Sequence, residues 1–87
     1  MTNLYSSVVS YHTNPYTCGV ARFNQALAKE MRIPVCSVSK FVPSSENISL
    51  LSIKFEEMST KSAEDMWAQM DQVDAKFDLF LHGVTQS

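Results

Sequence analysis

The sequence predicts an α/β fold with the element order β-α-β-β-α-β and a mostly parallel sheet. An apolar strand at the start of the chain is followed by a polar turn with one glycine and then by a helical pattern, which is the opening unit of an α/β domain. Short apolar runs then alternate with amphipathic helical runs. The 87 residues are 45% hydrophobic and 18% charged, which is typical of a globular chain.

The first strand is predicted over Leu4–Ser10 (LYSSVVS), because it ends in a β-branched apolar pair. The first helix is predicted from residue 18 or 19 to Met31, with Thr17 as its N-cap. Pro34 stops this helix. Its apolar face is expected to contain residues at spacings of three and four: Val20, Phe23, Leu27 and Met31.

The second and third strands are predicted over Val35–Val42 and Ile48–Phe55, with the turn Pro43–Asn47 between them. The third strand should place Leu51, Ile53 and Phe55 on one face. Because the link is too short for a helical crossover, these strands are expected to pair as a hairpin, or the third strand to lie at a sheet edge.

The second helix is predicted over Ala63–Lys76, and Ser62–Asp65 resembles a capping box at its start. Phe77–His82 (FDLFLH) is the last predicted strand. The buried side of the helix and its continuation are expected to comprise Ala63, Met66, Trp67, Met70, Val73 and Phe77.

Residues 1–87 are predicted to form one partial domain, the first half of a longer doubly wound domain. Parallel sheets need helices on both faces, and two helices on four strands leave apolar surface uncovered. We therefore expect self-association through that surface. Cys18 and Cys36 are expected to be reduced thiols. A net charge of −2 gives no basic field for a nucleic acid. No signal peptide or transmembrane segment is visible, so a cytoplasmic location is expected.

A ligand site is predicted past the carboxyl ends of the strands, where strand order reverses. If the first strand lies beside the fourth, the crevice is formed by residues 11–19 and 82–87. The amides of Gly19–Ala21, including that of Val20, would then point at an anion. The alternative is that Gly19 only eases a tight turn.

Several polar residues near this crevice each have a functional and a structural interpretation. His82 ends an apolar strand and is either a general base or a structural histidine. His12 faces the same crevice or is a solvated loop residue. Arg22 lies one turn into the helix, within reach of a phosphate, or on its solvated surface. Asn14 and Thr17 cap the helix or bind sugar hydroxyls.

The motifs of several common enzyme classes are absent from the sequence. No G-x-G-x-x-G follows the first strand and no Walker lysine motif occurs, so dinucleotide or NTP binding is weakly supported. No G-x-S-x-G nucleophile elbow is present either.

The sequence Thr17–Asn24 (TCGVARFN), which leads into QALAKEM, resembles the amino-terminal start of GT-B type glycosyltransferases, the retaining group called family 4. Ile33–Val35 and Phe77–His82 reinforce the resemblance. It implies a partial Rossmann-like domain and metal-independent transfer from a nucleotide-sugar donor to an acceptor substrate, with no cofactor. The donor-binding carboxy-terminal domain is missing from these residues, so the chain alone is expected to be inactive.

The resemblance also implies residue roles. In that family the glycine-rich turn lies beside the donor diphosphate, which matches Gly19, although members commonly have two consecutive glycines where this chain has Cys18-Gly19. His82 matches a histidine near the reacting sugar and is the catalytic candidate. The predicted donor- and substrate-binding residues are Gly19, Val20, Arg22, His12 and Asn14.

Two other functions fit the same residues. The incomplete core favours a non-catalytic interaction module that associates through an exposed sheet edge or helix face. The strand-turn-helix opening also fits a small Rossmann-like protein that binds another nucleotide.

Overall fold

The computed structural model describes residues 4–83 and confirms the α/β fold. Two helices and four strands follow the predicted order, with one 3-10 turn after the second strand and another after the third. The elements are β1 Ser7–Ser10, α1 Gly19–Met31, β2 Val35–Ser37, β3 Ile48–Lys54, α2 Lys61–Gln72 and β4 Lys76–His82; the 3-10 turns are Val38–Lys40 and Phe55–Glu57.

The sheet has the order β2-β1-β3-β4, and every pair of neighbours is parallel. The predicted hairpin between β2 and β3 is wrong, and so is an edge position for β3, because β3 pairs with both β1 and β4. β1 and β4 are not neighbours, so the condition under which residues 11–19 and 82–87 would form one crevice is not met. Because β2 ends at Ser37, residues 38–47 are available to pass over β1, and a 3-10 turn without a helix makes the crossover.

Some element boundaries differ from the predictions for local reasons. β2 stops at Ser37, five residues before the predicted end, since the chain turns into Val38–Lys40. α2 begins at Lys61 with Thr60 as its N-cap, whose Oγ1 accepts from the Ala63 N–H at 3.3 Å. The helix ends before the positive φ of Asp74 (51°), so the capping box at residues 62–65 and the end at residue 76 were wrong.

The sheet carries one apolar cluster on each face. On the α1 face, Val8, Ala28 and Leu50 are buried. The α2 face holds the larger cluster, made by the sheet, the β2–β3 crossover and α2: Val9, Val38, Phe41, Leu51, Ile53, Met66 and Met70. The crossover therefore covers part of the sheet, as a helix would, by packing Val38 and Phe41 against it.

The buried face of α1 differs from the prediction. Ala21, Asn24 and Ala28 are buried, whereas Phe23 is 44% exposed. The strands present the small residues Ser10 and Ser52 beneath the helix, both buried, so a polar residue fills that position and not a large apolar one. The N-cap is Cys18 and not Thr17.

β4 forms an edge of the sheet that the two helices leave largely uncovered. Phe77, Leu79 and Phe80 are 40%, 38% and 47% exposed. On α2, Ala63, Met66 and Met70 are buried as predicted, while Val73 is 46% exposed. The predicted shortage of helical cover is therefore concentrated at β4.

Candidate functional site

The carboxyl ends of the four strands lie at one edge of the sheet, because all strands are parallel. Strand order reverses between β1 and β3: the chain moves from β1 outward to β2 and then returns to β3 on the other side. The switch point is therefore flanked by Ser10 and Lys54, and His82 lies one strand further along. This edge is where open α/β sheets bind ligands.

The N-terminus of α1 opens at this edge without a side-chain cap in the described structure. Cys18 is extended (φ −142°), and the first helical hydrogen bond runs from the Arg22 N–H to the Cys18 carbonyl at 3.1 Å. The first turn contains no acidic residue. The N–H groups of residues 19–21 thus begin the helix in a positive local potential.

The backbone conformation of the turn does not require a glycine at the position of Gly19. Its φ lies outside the left-handed region, and a Cβ placed on it would meet nothing within 4 Å. The alternative in which Gly19 only eases a tight turn therefore loses its physical basis. Open space lies beside the helix start, and Val20 is half-buried next to it.

His82 closes β4 and packs against α1. Its ring centroid lies 5.2 Å from that of Phe23 and 4.5 Å from that of Phe80. Its Nε2 is 2.6 Å from Ser52 Oγ. Burial lowers the pKa of His82 below its usual value, while the negative charge of Glu57 acts in the opposite direction. Burial therefore favours the neutral imidazole, and the contacts with Ser52, Phe23 and Phe80 orient it.

His12 and Glu57 form a second polar pair at the switch point. The His12 Nε2 lies 3.5 Å from Glu57 Oε2. The other carboxylate oxygen accepts the Lys54 N–H at 2.8 Å, and Glu57 is only 7% exposed. Glu57 was not predicted from the sequence, because nothing in the sequence distinguishes it from the neighbouring Glu56 as a surface carboxylate.

Asn24 ties the helix to the ends of two strands. Its Nδ2 donates to Ser10 Oγ at 2.9 Å and to the Ser52 carbonyl at 2.8 Å, and the residue is fully buried. Its Oδ1 has no hydrogen-bond partner among the described residues. Sequence reasoning missed this role. The signal was an amide at a position one turn before the buried Ala28.

The remaining predicted residues lie in the loop between β1 and α1 or just after it. Asn14 closes its own turn, since its Oδ1 accepts the Tyr16 N–H at 2.9 Å, and it does not cap α1. Arg22 is exposed, and its Nε donates to the Pro15 carbonyl at 3.3 Å. The structure thus places His82 against α1 through its contact with Phe23. It also places His12 beside Glu57. Residues 84–87, which the predicted crevice included, lie outside the described residues.

Two hollows in the surface lie elsewhere, along α2. One, of about 260 Å³, is bounded by residues that include Trp67, Asp74 and Phe77. The other, of about 170 Å³, lies between α2 and the crossover near Val38 and Gln69. Neither hollow is lined by His12, Gly19, Arg22 or His82.

Neither a metal centre nor a membrane span is found within residues 4–83. No group of three or more His, Cys, Asp and Glu side chains in this range is placed to hold a metal ion. No helix there has the length and apolar character needed to cross a membrane.

The chain was compared with protein-family models, curated proteins and solved structures, and none of them matches it. The structure establishes a small α/β domain with a four-stranded parallel sheet.

Proposed function

We propose that this chain is the donor-side part of a GT-B type glycosyltransferase amino-terminal domain. In this proposal the start of α1 binds the diphosphate of a nucleotide sugar, and His82 lies beside the transferred sugar. The main support is the contact of His82 with Phe23. Phe23 lies one helical turn after the uncapped amides at the start of α1. In this proposal the anion site and the imidazole share one edge of the sheet.

The helix start has the chemistry that a diphosphate requires. Backbone N–H groups and the positive end of the helix dipole favour an anion there. The space beside Gly19 allows close approach to the backbone. Arg22 engages its Nε with the Pro15 carbonyl, and its two terminal guanidinium nitrogens are the donors that would reach a phosphate oxygen.

The aromatic rings beside His82 suit a nucleoside or a sugar ring. Phe23 and Phe80 are 44% and 47% exposed, and their centroids lie 5.8 Å apart. Exposed rings next to a few fixed polar groups are typical of small-molecule sites. A bound ring would cover apolar surface that α1 and β4 leave open.

The proposed role of His82 follows from its bonding. Ser52 Oγ engages Nε2, and this proposal assigns Nδ1 to the ligand, in the tautomer in which the Nε2–H donates to Ser52 Oγ. Because burial lowers the pKa of His82, the neutral ring is favoured at pH 7, and it can accept a proton or a hydrogen bond from a sugar hydroxyl. In this proposal residues 4–83 contribute donor binding, and transfer itself would need a second domain.

An NMR titration of the 15N-labelled chain with UDP-glucose tests the proposal. Weak binding is expected, with the largest amide shifts at residues 19–22 and at His82. Arg22→Gln should weaken binding about 3–10-fold, because one charge-assisted contact at an exposed site is lost. The matched control is Arg32→Gln at the opposite end of α1, which should leave the affinity unchanged.

Gly19 gives a second arm of the same test. Gly19→Ala and Gly19→Val should fold normally, because the added atoms enter open space, yet binding should weaken progressively from alanine to valine. UDP-glucose shifts confined to other residues would refute the proposed site. Equal shifts with NAD at residues 19–22 would favour the small nucleotide-binding alternative.

A further inference from the structure

The free edge of β4 is long and apolar. β4 pairs with β3 over seven residues and has no strand on its other side among the described residues. The opposite edge of the sheet, β2, has only three residues. A long, exposed edge strand with apolar side chains is a template for pairing with another strand.

The hydrogen bonds of the sheet show which peptide groups of β4 face outward. The Ile48 carbonyl turns toward β1, where it accepts the Ser6 N–H at 2.8 Å. Successive residues of a strand turn their peptide groups to opposite sides, so Ser49 turns toward β4. In a parallel ladder Ser49 then bonds the two neighbours of its partner Phe77. Lys76, Asp78 and Phe80 accordingly face β3.

The outward-facing residues are therefore Phe77, Leu79 and Leu81, which are spaced evenly about Leu79. We propose that two copies of this chain pair their β4 strands antiparallel about a two-fold axis at Leu79. Leu79 then lies opposite its own copy and Phe77 opposite Leu81. Each opposed pair exchanges two bonds, so every outward N–H and C=O of the three residues is used. The product is a continuous eight-stranded sheet.

Alternative registers of the same pairing are less favourable. A two-fold axis at Asp78 places two aspartates directly opposite each other, which is repulsive. An axis at Phe77 brings Ala75 into the ladder, but the Ala75 N–H already donates to the Met70 carbonyl at 2.9 Å. The register at Leu79 instead sets Asp78 opposite Phe80 and His82 opposite Lys76.

The size of this contact sets its strength. Seven residues span about 23 Å, and an edge about 10–15 Å high gives roughly 500–700 Å² in total, which is below the roughly 1,200 Å² of a stable interface. The dimer is therefore weak and depends on concentration. Because β2 is too short to offer a second long edge, association stops at the dimer.

Sedimentation velocity from micromolar to near-millimolar protein tests this pairing. The sedimentation coefficient of the unaltered chain should rise with concentration toward the dimer value. Leu79→Lys sets two lysines opposite each other at the axis and should stay monomeric. Val42→Lys, a change of the same type at an 81% exposed residue of the crossover, should associate as the unaltered chain does. A monomer at every concentration, or association of Leu79→Lys, would overturn the proposal.

Cysteine cross-linking tests the register without relying on the lysine variant. Opposed residues of a hydrogen-bonded pair have Cα atoms about 5.5 Å apart, within disulfide range. Leu79→Cys should form a covalent dimer on mild oxidation. Phe77→Cys should not do so alone, but should cross-link when mixed with Leu81→Cys. The unaltered chain, which carries Cys18 and Cys36, is the control. Leu79→Cys dimers that form no faster than in this control would contradict the pairing.

Discussion

Replacing Asn24 by alanine should destabilise the fold more than any polar substitution on the surface. Asn24 is fully buried between α1 and the ends of β1 and β3. The last paired residues of these two strands are Val9 and Leu51. The Ser52 carbonyl beyond them has no ladder donor from β1, and Asn24 supplies one. Asn24→Ala therefore strands a buried carbonyl where the ladder ends.

The magnitude follows from the two hydrogen bonds and the space left behind. Each bond contributes about 0.5–1.5 kcal/mol net, and the stranded carbonyl and residual cavity add about 1 kcal/mol or more. Asn24→Ala also removes the buried Oδ1, which has no hydrogen-bond partner among the described residues, and this offsets part of the destabilisation. We expect a loss of about 2–4 kcal/mol, which corresponds to a fall in Tm of about 10–25 °C in a domain of this size.

Urea unfolding followed by circular dichroism and by Trp67 fluorescence measures this loss. Asn47→Ala, in the exposed turn before β3, is the matched control and should change the free energy of unfolding by less than about 0.5 kcal/mol. Asn24→Asp should be worse than alanine at pH 7, because it buries a carboxylate facing a carbonyl. If Asn24→Ala unfolded within 0.5 kcal/mol of the original chain, about the scatter of surface variants, the bridging role would be refuted.

Three further predictions concern pH and capping. Because folding lowers the pKa of His82, the neutral imidazole contributes stability that is complete above the unfolded pKa of 6.5 and is lost as pH falls through the folded pKa. His82→Gln should therefore flatten this part of the plot of unfolding free energy against pH. An unchanged slope in the variant would count against this contribution of His82. Glu57→Gln should lower the pKa of His82 further, because the opposing charge is removed, and a rise in an NMR titration would exclude that cause. Thr60→Ala should cost about 1 kcal/mol through loss of the Ala63 cap, whereas Ser62→Ala should cost less, as urea unfolding would show.

The sequence predicted which elements form but not every boundary. α1 starts and ends where the helical pattern does, at Gly19 and Met31, because local spacing, Pro34 and the preceding polar turn all agree there. β2 is short because the chain turns at Val38–Lys40, and Val38 packs in the α2-face core from that turn. Apolar composition alone does not distinguish a strand from a buried 3-10 turn.

The order of the strands was beyond the reach of local patterns. The predicted hairpin followed from a link measured to residue 42, but the strand ends at Ser37, and the longer link permits a parallel crossover. The crevice between β1 and β4 was conditional on their being neighbours, and β3 occupies the place between them. Non-local pairing depends on which faces are covered, and the α2-face core joins residues of the sheet, the crossover and α2 that are distant in sequence.

The candidate site was partly predictable. The strand ends place His82 and the start of α1 at one edge in any parallel arrangement, so their common side could be predicted without the strand order. Asn24 and Glu57 could not be predicted, because their burial depends on contacts between distant segments: 14 and 28 residues separate Asn24 from its two partners. Arg22 and Asn14 lie near the edge, but each also holds the loop that leads into α1.

The hydrogen bonds at the carboxyl edge couple the proposed site to the core. Asn24 holds Ser10 and the Ser52 carbonyl, and the Ser52 hydroxyl in turn holds His82. A change at Asn24 that loosens the end of β3 should therefore also release His82 from its fixed orientation. Because the His82 pKa is lowered by burial, such a release should move it back toward 6.5 in a folded but weakened Asn24 variant. A His82 pKa unaltered in that variant would show that the imidazole is held by Phe23 and Phe80 alone.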